Sequence, residues 1–277
     1  MTEHARPREV IAVDNLVQTL GGQEILRGFS LKVYEGETLV LLGRSGGGKS
    51  VFLRHLIGLM QPVGGTITVD GLNITDLKER DLAKVRRCMG MLFQNGALFD
   101  SMTVADNVAF PLRERGETDE GLIARKVDES LRMVNLHGQQ QKMPVNLSGG
   151  MRKRVALAQT LAVGPRILLM DEPFSALDVQ TRALMENELL ALWQRDRKSV
   201  LFVTHDLEEA IALSDRVVVL GAGPGSRPVG EFRIDLPRPR DVAEVRLEPR
   251  FVELHRDIWA TLKAEVMRAH AAGEVAS

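Results

Sequence analysis

The sequence predicts an α/β protein: a mostly parallel sheet covered by helices, with an antiparallel β part near the amino end and a helical insertion in the middle. Three observations carry this. Apolar runs at Leu39–Leu42, Ile167–Met170 and Ser199–Val203 lack an alternating polar face, as in strands buried on both sides. Helical patterns follow them, which is the alternation of a parallel sheet. The first run passes straight into Gly43-Arg44-Ser45-Gly46-Gly47-Gly48-Lys49-Ser50, a glycine-rich loop that opens a helix.

Taken in order, Val10–Val17 reads as a first strand, Gly21-Gly22 as a turn, and Ile25–Val33 as its hairpin partner. Thr38–Leu42 is the strand before the loop. Val51, Phe52, Leu56, Ile57 and Leu59 mark the helix after it. Pro62-Val63-Gly64-Gly65 breaks the chain, and Thr66–Gly71 alternates like a strand with a turn. Met89–Gln94 is a short apolar run, with a turn at Asn95-Gly96. Thr103–Gly138 is mostly helical, interrupted by a charged, loop-like segment at Arg113–Glu120. A helix is expected over Arg152–Ala162, stopped by Gly164-Pro165. After Ile167–Met170 come a helix near Val179–Arg195, the Ser199–Val203 strand, a helix at Leu207–Leu213 and a strand at Arg216–Leu220. Gly223-Pro224-Gly225 and Leu236-Pro237-Arg238-Pro239 read as loops. Phe251, Leu254, Ile258, Leu262 and Val266 recur at helical spacing, so an amphipathic terminal helix is expected, frayed over Ala269–Ser277.

Composition limits the functions. The 277 residues suit one large domain or a domain with an appendage. Lys and Arg number 36 against 37 Asp and Glu, and no basic stripe calls for nucleic acid as a partner. A single cysteine, Cys88, excludes an intrachain disulfide framework and points to a reducing compartment. Met1–Glu9 is charged, so no signal peptide is expected, and no apolar run has the length of a membrane span. Any membrane process would need spans from other chains.

The glycine-rich loop carries the first chemistry. Gly43, Gly48, Lys49 and Ser50 fit the spacing G-x-x-x-x-G-K-[ST]. Small residues let backbone N–H groups close around a phosphate chain, and the helix start adds its positive dipole end. Lys49 would reach the β- and γ-phosphates, and Ser50 would hold Mg²⁺. Asp171 and Glu172 close the run Ile167–Met170, where Asp171 would hold the metal and Glu172 would orient or deprotonate water. His205 ends the next strand and would reach the same edge. Gln94, whose amide is both donor and acceptor, would bridge Mg²⁺ and water. Ser148-Gly149-Gly150 precedes a helix and makes a second anion site without a lysine. Two phosphate sites in one chain suggest a ligand held between two copies. Arg152, Lys153 and Arg154 fit either an anion site or a solvated face.

With these residues assembled, the chain resembles the ATP-binding cassette (ABC) ATPases over about Val10–Leu220. Gly43–Ser50 looks like the phosphate loop and Gln94 like the Q-loop. Leu147-Ser148-Gly149-Gly150-Met151 looks like the signature, and Ile167–Glu172 like the magnesium strand with its catalytic glutamate. Ser175-Ala176-Leu177-Asp178 looks like the D-loop and His205 like the switch histidine. The resemblance implies a P-loop NTPase core with an antiparallel β subdomain and a helical signature subdomain near residues 95–162. It implies a head-to-tail homodimer with ATP and Mg²⁺ between one copy's phosphate loop, residues Gly43 to Val51, and the other's signature. It also implies integral-membrane permease subunits as partners, at the cytoplasmic face of the inner membrane. Met151 stands where the family usually has glutamine. Leu20 stands where many members stack an aromatic ring on adenine, and it would cover the base without π contact.

Two subfamilies are visible. Residues 43–162 resemble the ATPases of Mla-type, Mce-associated phospholipid transporters, through Gly48-Lys49-Ser50-Val51, Phe93–Phe99 and Asn107–Arg113. From Asp171 onward the chain resembles nitrate, sulfonate and taurine importer ATPases, through Val203–Ala210, Gly223-Pro224-Gly225 and Asp235–Arg240. Because the segment between Q-loop and signature faces the permease in this family, the expected cargo is phospholipid, with an Mce-domain protein as a further partner. Import of a small oxyanion or sulfonate, with a periplasmic substrate-binding protein, is the second transport reading. A soluble ABC ATPase acting on ribosomes or DNA is the alternative of another class. The expected division is an ATPase domain at 8–222 and an extension at 223–277.

Overall fold

The protein is described by a computed structural model covering residues 7–275 apart from 95, 176 and 197, with side chains described except at 194–196 and 269–275. Met1–Arg6, Asn95, Ala176, Ala276 and Ser277, all touched by expectations above, lie outside the described residues.

An antiparallel hairpin opens the chain: β1 (Glu9–Leu20) pairs with β2 (Gln23–Tyr34). Gly21 and Gly22 make its turn with φ of 56° and 80°, a region that favours glycine. Next come β3 (Thr38–Leu42) and α1 (Lys49–Leu56). Then β4 (Gly64–Val69) and β5 (Leu72–Asn73) complete a four-stranded sheet of order β2-β1-β4-β5. After α2 (Glu79–Arg86), β6 (Met89–Leu92) joins the second sheet. The helical insertion consists of α3 (Val104–Glu114), α4 (Glu120–Met133) and α5 (Gly149–Ala162). The chain then alternates through β7 (Ile167–Asp171), α6 (Val179–Asp196), β8 (Ser199–Thr204), α7 (Leu207–Leu213) and β9 (Arg216–Leu220). It ends with β10 (Pro228–Arg233), α8 (Val242–Val245) and α9 (Pro249–Val275).

The second sheet has the order β10-β9-β3-β8-β7-β6, parallel except for β10. Its central strands are buried on both faces, which explains their unbroken apolar runs. Val40 and Leu42 of β3, Leu168 and Met170 of β7, and Val200 and Phe202 of β8 pack under the helices. Leu39 and Leu41, Ile167 and Leu169, and Leu201 and Val203 face the antiparallel sheet and α1. There Phe29 and Phe52 meet at 4.4 Å between ring centroids.

Several elements depart from the sequence reading. Arg113 and Glu114 finish α3 instead of starting a loop, although Pro111 lies inside that helix. Proline deprives the Asn107 carbonyl of its helical donor, and Gln159 Nε2 of α5 supplies one at 2.9 Å. Helix α5 starts at Gly149, three residues early, because the Ser148 hydroxyl caps it by accepting the Met151 N–H. The stretch after Gly223-Pro224-Gly225 contains β10, which accommodates Pro228 and Gly230 because it is an edge strand. Helices α2 and α8 were not expected. The terminal helix continues to Val275, and its buried Phe251, Leu254 and Ile258 join the same core cluster as β9 and α7.

Candidate nucleotide site at the carboxyl edge of the sheet

Register brings the strand ends level. Leu42 pairs with Thr204, Val203 with Asp171, and Met170 with Leu92. The residues just beyond, Gly43, His205, Glu172 and Gln94, therefore emerge along one edge, where open α/β sheets hold ligands.

The phosphate loop is shaped by its glycines. Gly46 and Gly48 have φ of 80° and 79°. A Cβ on Gly47 would stand 3.0 Å from the Arg44 carbonyl oxygen. Gly48 is the N-cap of α1 and provides no side-chain cap, so the first N–H groups of that helix are left to an anion. Lys49 is 4% exposed. Its Nζ donates to the carbonyls of Gly43 at 2.7 Å and Arg44 at 2.9 Å. Burial pulls its pKa down, and Glu172 opposes that shift. The Ser50 hydroxyl donates to Asp171 Oδ1 at 2.9 Å. Burial pushes the Asp171 carboxyl up, against the Ser50 hydrogen bond.

Glu172 is the meeting point. Lys49 Nζ lies 3.4 Å from its Oε1. His205 Nδ1 lies 3.1 Å from its Oε2, and Gln94 Nε2 donates to the same oxygen at 3.4 Å. Its backbone has φ of 44°, a sparsely populated region for a non-glycine residue, anchored by its N–H to the Val203 carbonyl at 3.0 Å. Ser50, Asp171 and Gln94 offer hard oxygen donors of the kind Mg²⁺ takes.

The second helix start is differently built. Ser148 and Gly149 are exposed, and α5 packs on α3, α4, β6 and α6, whereas α1 packs on β7 and β4. The three basic residues differ in burial: Arg152 is exposed, Arg154 half-buried and Lys153 buried. Arg152 donates to the Leu147 carbonyl at 3.0 Å, and Arg154 pairs with Glu188 at 3.2 Å. Lys153 is buried, which lowers its pKa, and it donates to the Gln94 carbonyl. That last contact ties α5 to the Q-loop position.

Beside the phosphate loop lies a cleft of 290 Å³ lined by Gln23, Ile25, Arg44–Gly47 and Ala222–Pro224. Leu20 is outside this lining, 39% exposed at the end of β1. Sequence reasoning missed Gln23, Ile25 and the 222–224 wall. The wall is held by backbone bonds from Gly225 to Glu24 at 2.7 Å and from Ser226 to Ile25 at 2.9 Å. The only sequence signal was the Gly223-Pro224-Gly225 loop, which does not say what it packs on.

The family model for ABC transporters matches residues 26–175. The chain belongs to that family; it binds and hydrolyses ATP as an ABC transporter ATPase subunit. It is 41% identical over 270 residues to an uncharacterized ABC transporter ATP-binding protein of Methanocaldococcus jannaschii, covering 95% of each chain. It is 37% identical over 257 residues to the bicarbonate transport ATP-binding protein CmpC of Synechococcus elongatus, covering 90% of this chain and 37% of that longer one. Among solved structures, it is similar to a dimeric ATP-binding cassette in a post-hydrolysis state bound to ADP and Pi, with TM-score 0.74 and 31% identity over 82% of this chain and all of that one. Among the described residues, no helix is long and apolar enough to cross a membrane.

Proposed function

We propose that two copies of this chain close head to tail over two ATP molecules and so drive an integral-membrane permease from the cytoplasmic face of the inner membrane. Residues 8–222 form the ATPase domain in this reading, and 223–277 an extension of it. Gly43–Val51 cradles the phosphates, Lys49 neutralises the β- and γ-oxygens, and Ser148, Gly149 and Gly150 of the second copy cover the γ-phosphate. Leu20 and the nearer Ile25 cover the base. Ser50, Asp171 and Gln94 hold Mg²⁺, which when bound supplies charge neutralisation of the phosphates. Glu172 orients and deprotonates the attacking water, and His205 fixes the γ-phosphate side of the same site. The observation that carries this is the convergence of Lys49, Gln94 and His205 on the Glu172 carboxylate.

The test is Glu172→Gln. Hydrolysis is expected to fall about a hundredfold or more. ATP binding is retained and the closed dimer accumulates, visible by size-exclusion chromatography with ATP. Hydrolysis at the wild-type rate would remove Glu172 from its role.

The permease would dock in the apolar groove of 320 Å³ that includes Met91, Phe93, Phe99, Phe110 and Pro111. Phe99 and Phe110 pack at 4.7 Å between centroids and shape its wall. These residues lie in the segment resembling Mla-type ATPases, which supports phospholipid as cargo and an Mce-domain protein as a partner. A small oxyanion is the second reading, supported by the bicarbonate relative, whose match spans 90% of this chain and so reaches into the extension. Its partner would be a periplasmic substrate-binding protein. Affinity purification from native membranes in mild detergent separates the two by which of these proteins accompanies the permease.

A further inference from the structure

Helix α7 begins directly after the histidine that faces Glu172. Its N-cap, Asp206, accepts the N–H groups of Glu208 at 2.9 Å and Glu209 at 3.2 Å. Glu209 stands at the third helical position, where a capping box would send the carboxylate back to the N-cap backbone N–H. That N–H is taken instead by the Thr204 hydroxyl oxygen at 3.0 Å, and the Thr204 hydroxyl donates to Glu209 Oε2. Glu209 is 3% exposed. Thr204 ends β8, and its carbonyl accepts the Gly43 N–H at 3.2 Å. One threonine thus joins the first glycine of the phosphate loop, the histidine next to it in the chain, and a buried carboxyl group that the site chemistry does not use.

We propose that Glu209 is a positioning residue for ATP hydrolysis, acting through Thr204 to hold His205 against Glu172 and Gly43 in place at the mouth of the phosphate loop. This rests on the roles proposed above for Glu172 and His205. Capping alone does not explain Glu209, because Asp206 already caps α7.

The surroundings favour an uncharged carboxyl group here. Asp206 of α7 and Glu186 and Arg182 of α6 face Glu209. Arg246, the residue after α8, stands 3.8 Å from Glu186 and 3.4 Å from Glu208. Burial, with the carboxylates of Asp206 and Glu186, pushes Glu209 up to about 8, against Thr204 and Arg182. Glu209 therefore accepts the Thr204 hydroxyl at neutral pH without adding charge beside Asp206 and Glu186. A carboxyl group whose folded pKa is raised contributes stability at low pH that is lost as pH rises through the folded value. Here that loss runs from the ordinary carboxylate range up to about 8. Ionisation places charge beneath Thr204 and His205, so kcat declines as pH rises through about 8.

The experiment is steady-state hydrolysis of Mg-ATP by the purified full chain from pH 6 to 10. The variants are Glu209→Ala, Glu209→Gln, Thr204→Val, the double Thr204→Val/Glu209→Ala, and His205→Ala as control. Glu209→Ala is expected to lower kcat about tenfold with KM changed less than about twofold. Glu209→Gln restores most of that loss at pH 7 and lacks the alkaline decline. Thr204→Val lowers kcat similarly, and the double variant is no worse than either single one. If Glu209→Ala does not fold, Thr204→Val and Glu209→Gln decide the matter. The inference is overturned if Glu209→Gln keeps the wild-type alkaline limb and Thr204→Val keeps kcat within about twofold. If His205→Ala leaves hydrolysis unchanged, the site assignment falls and this inference with it. If His205→Ala abolishes hydrolysis while the Glu209 and Thr204 variants do not alter it, only this inference falls.

Discussion

The chain contains two glycine-bearing helix starts that look alike and are built for different work. At Gly43–Ser50 the N-cap is glycine, no side chain caps α1, and a buried lysine stands among Asp171 and Glu172. At Ser148–Gly150 the serine caps its own helix, and the nearby cations are spent on internal partners. Both carry the positive end of a helix dipole. Only the first also stands against the acidic side chains of Asp171 and Glu172. In the proposed head-to-tail pair, the second would gain its role when another copy presents a nucleotide to it. A helix start is therefore a binding surface whose use depends on what the fold brings beside it.

Lys49→Ala breaks this comparison most severely. It removes the buried ammonium that stands against Glu172 at the first start, and both ATP affinity and hydrolysis are expected to fall, hydrolysis by about a hundredfold. Nucleotide binding by fluorescence and phosphate release measure the two losses.

Gly150→Ala sharpens it. The added Cβ would lie 2.6 Å from Thr181 Cγ2, so the Thr181 side chain or the α5–α6 contact must give way. Hydrolysis is expected to drop about tenfold through misplacement, while ATP affinity of the single copy stays near wild type. A matching fall in affinity would mean that both starts bind the same nucleotide within one chain.

On the folding of the single copy, apart from any loss of hydrolysis at the γ-phosphate, Ser148→Ala has the smallest effect. It removes the cap of α5 and is expected to cost about 1 kcal/mol of stability, read from chemical denaturation. Gly48 offers no equivalent side chain to lose at α1.

Legibility followed the range of the interactions. Strand β9 and helix α7 have the bounds read from the sequence, because each is a short apolar segment between clear breakers. Gly43–Ser50 was legible because its chemistry is local: glycines, a lysine and a helix start within eight positions. Asp171, Glu172 and His205 were legible as polar residues closing buried strands. The fate of Lys153 was not, because its partner Gln94 lies 59 positions away. The joining of Thr204 to both Gly43 and Glu209 was equally invisible, since it depends on β8 lying beside β3 in register. Strand β10 was hidden by Pro228 and Gly230, whose local preferences are overruled at a sheet edge.

The amino-acid sequence by itself determined which segments are buried strands and where the phosphate loop sits. These follow from apolar periodicity and from backbone preferences that act over a few residues. Only the tertiary structure decided that Lys49, Gln94 and His205 meet at one carboxylate, that Ile25 rather than Leu20 lines the cleft beside the loop, and that the basic residues of α5 are internal ties. Those outcomes depend on strand order and register, which are set by packing two faces of a sheet at once and leave no local trace in the chain.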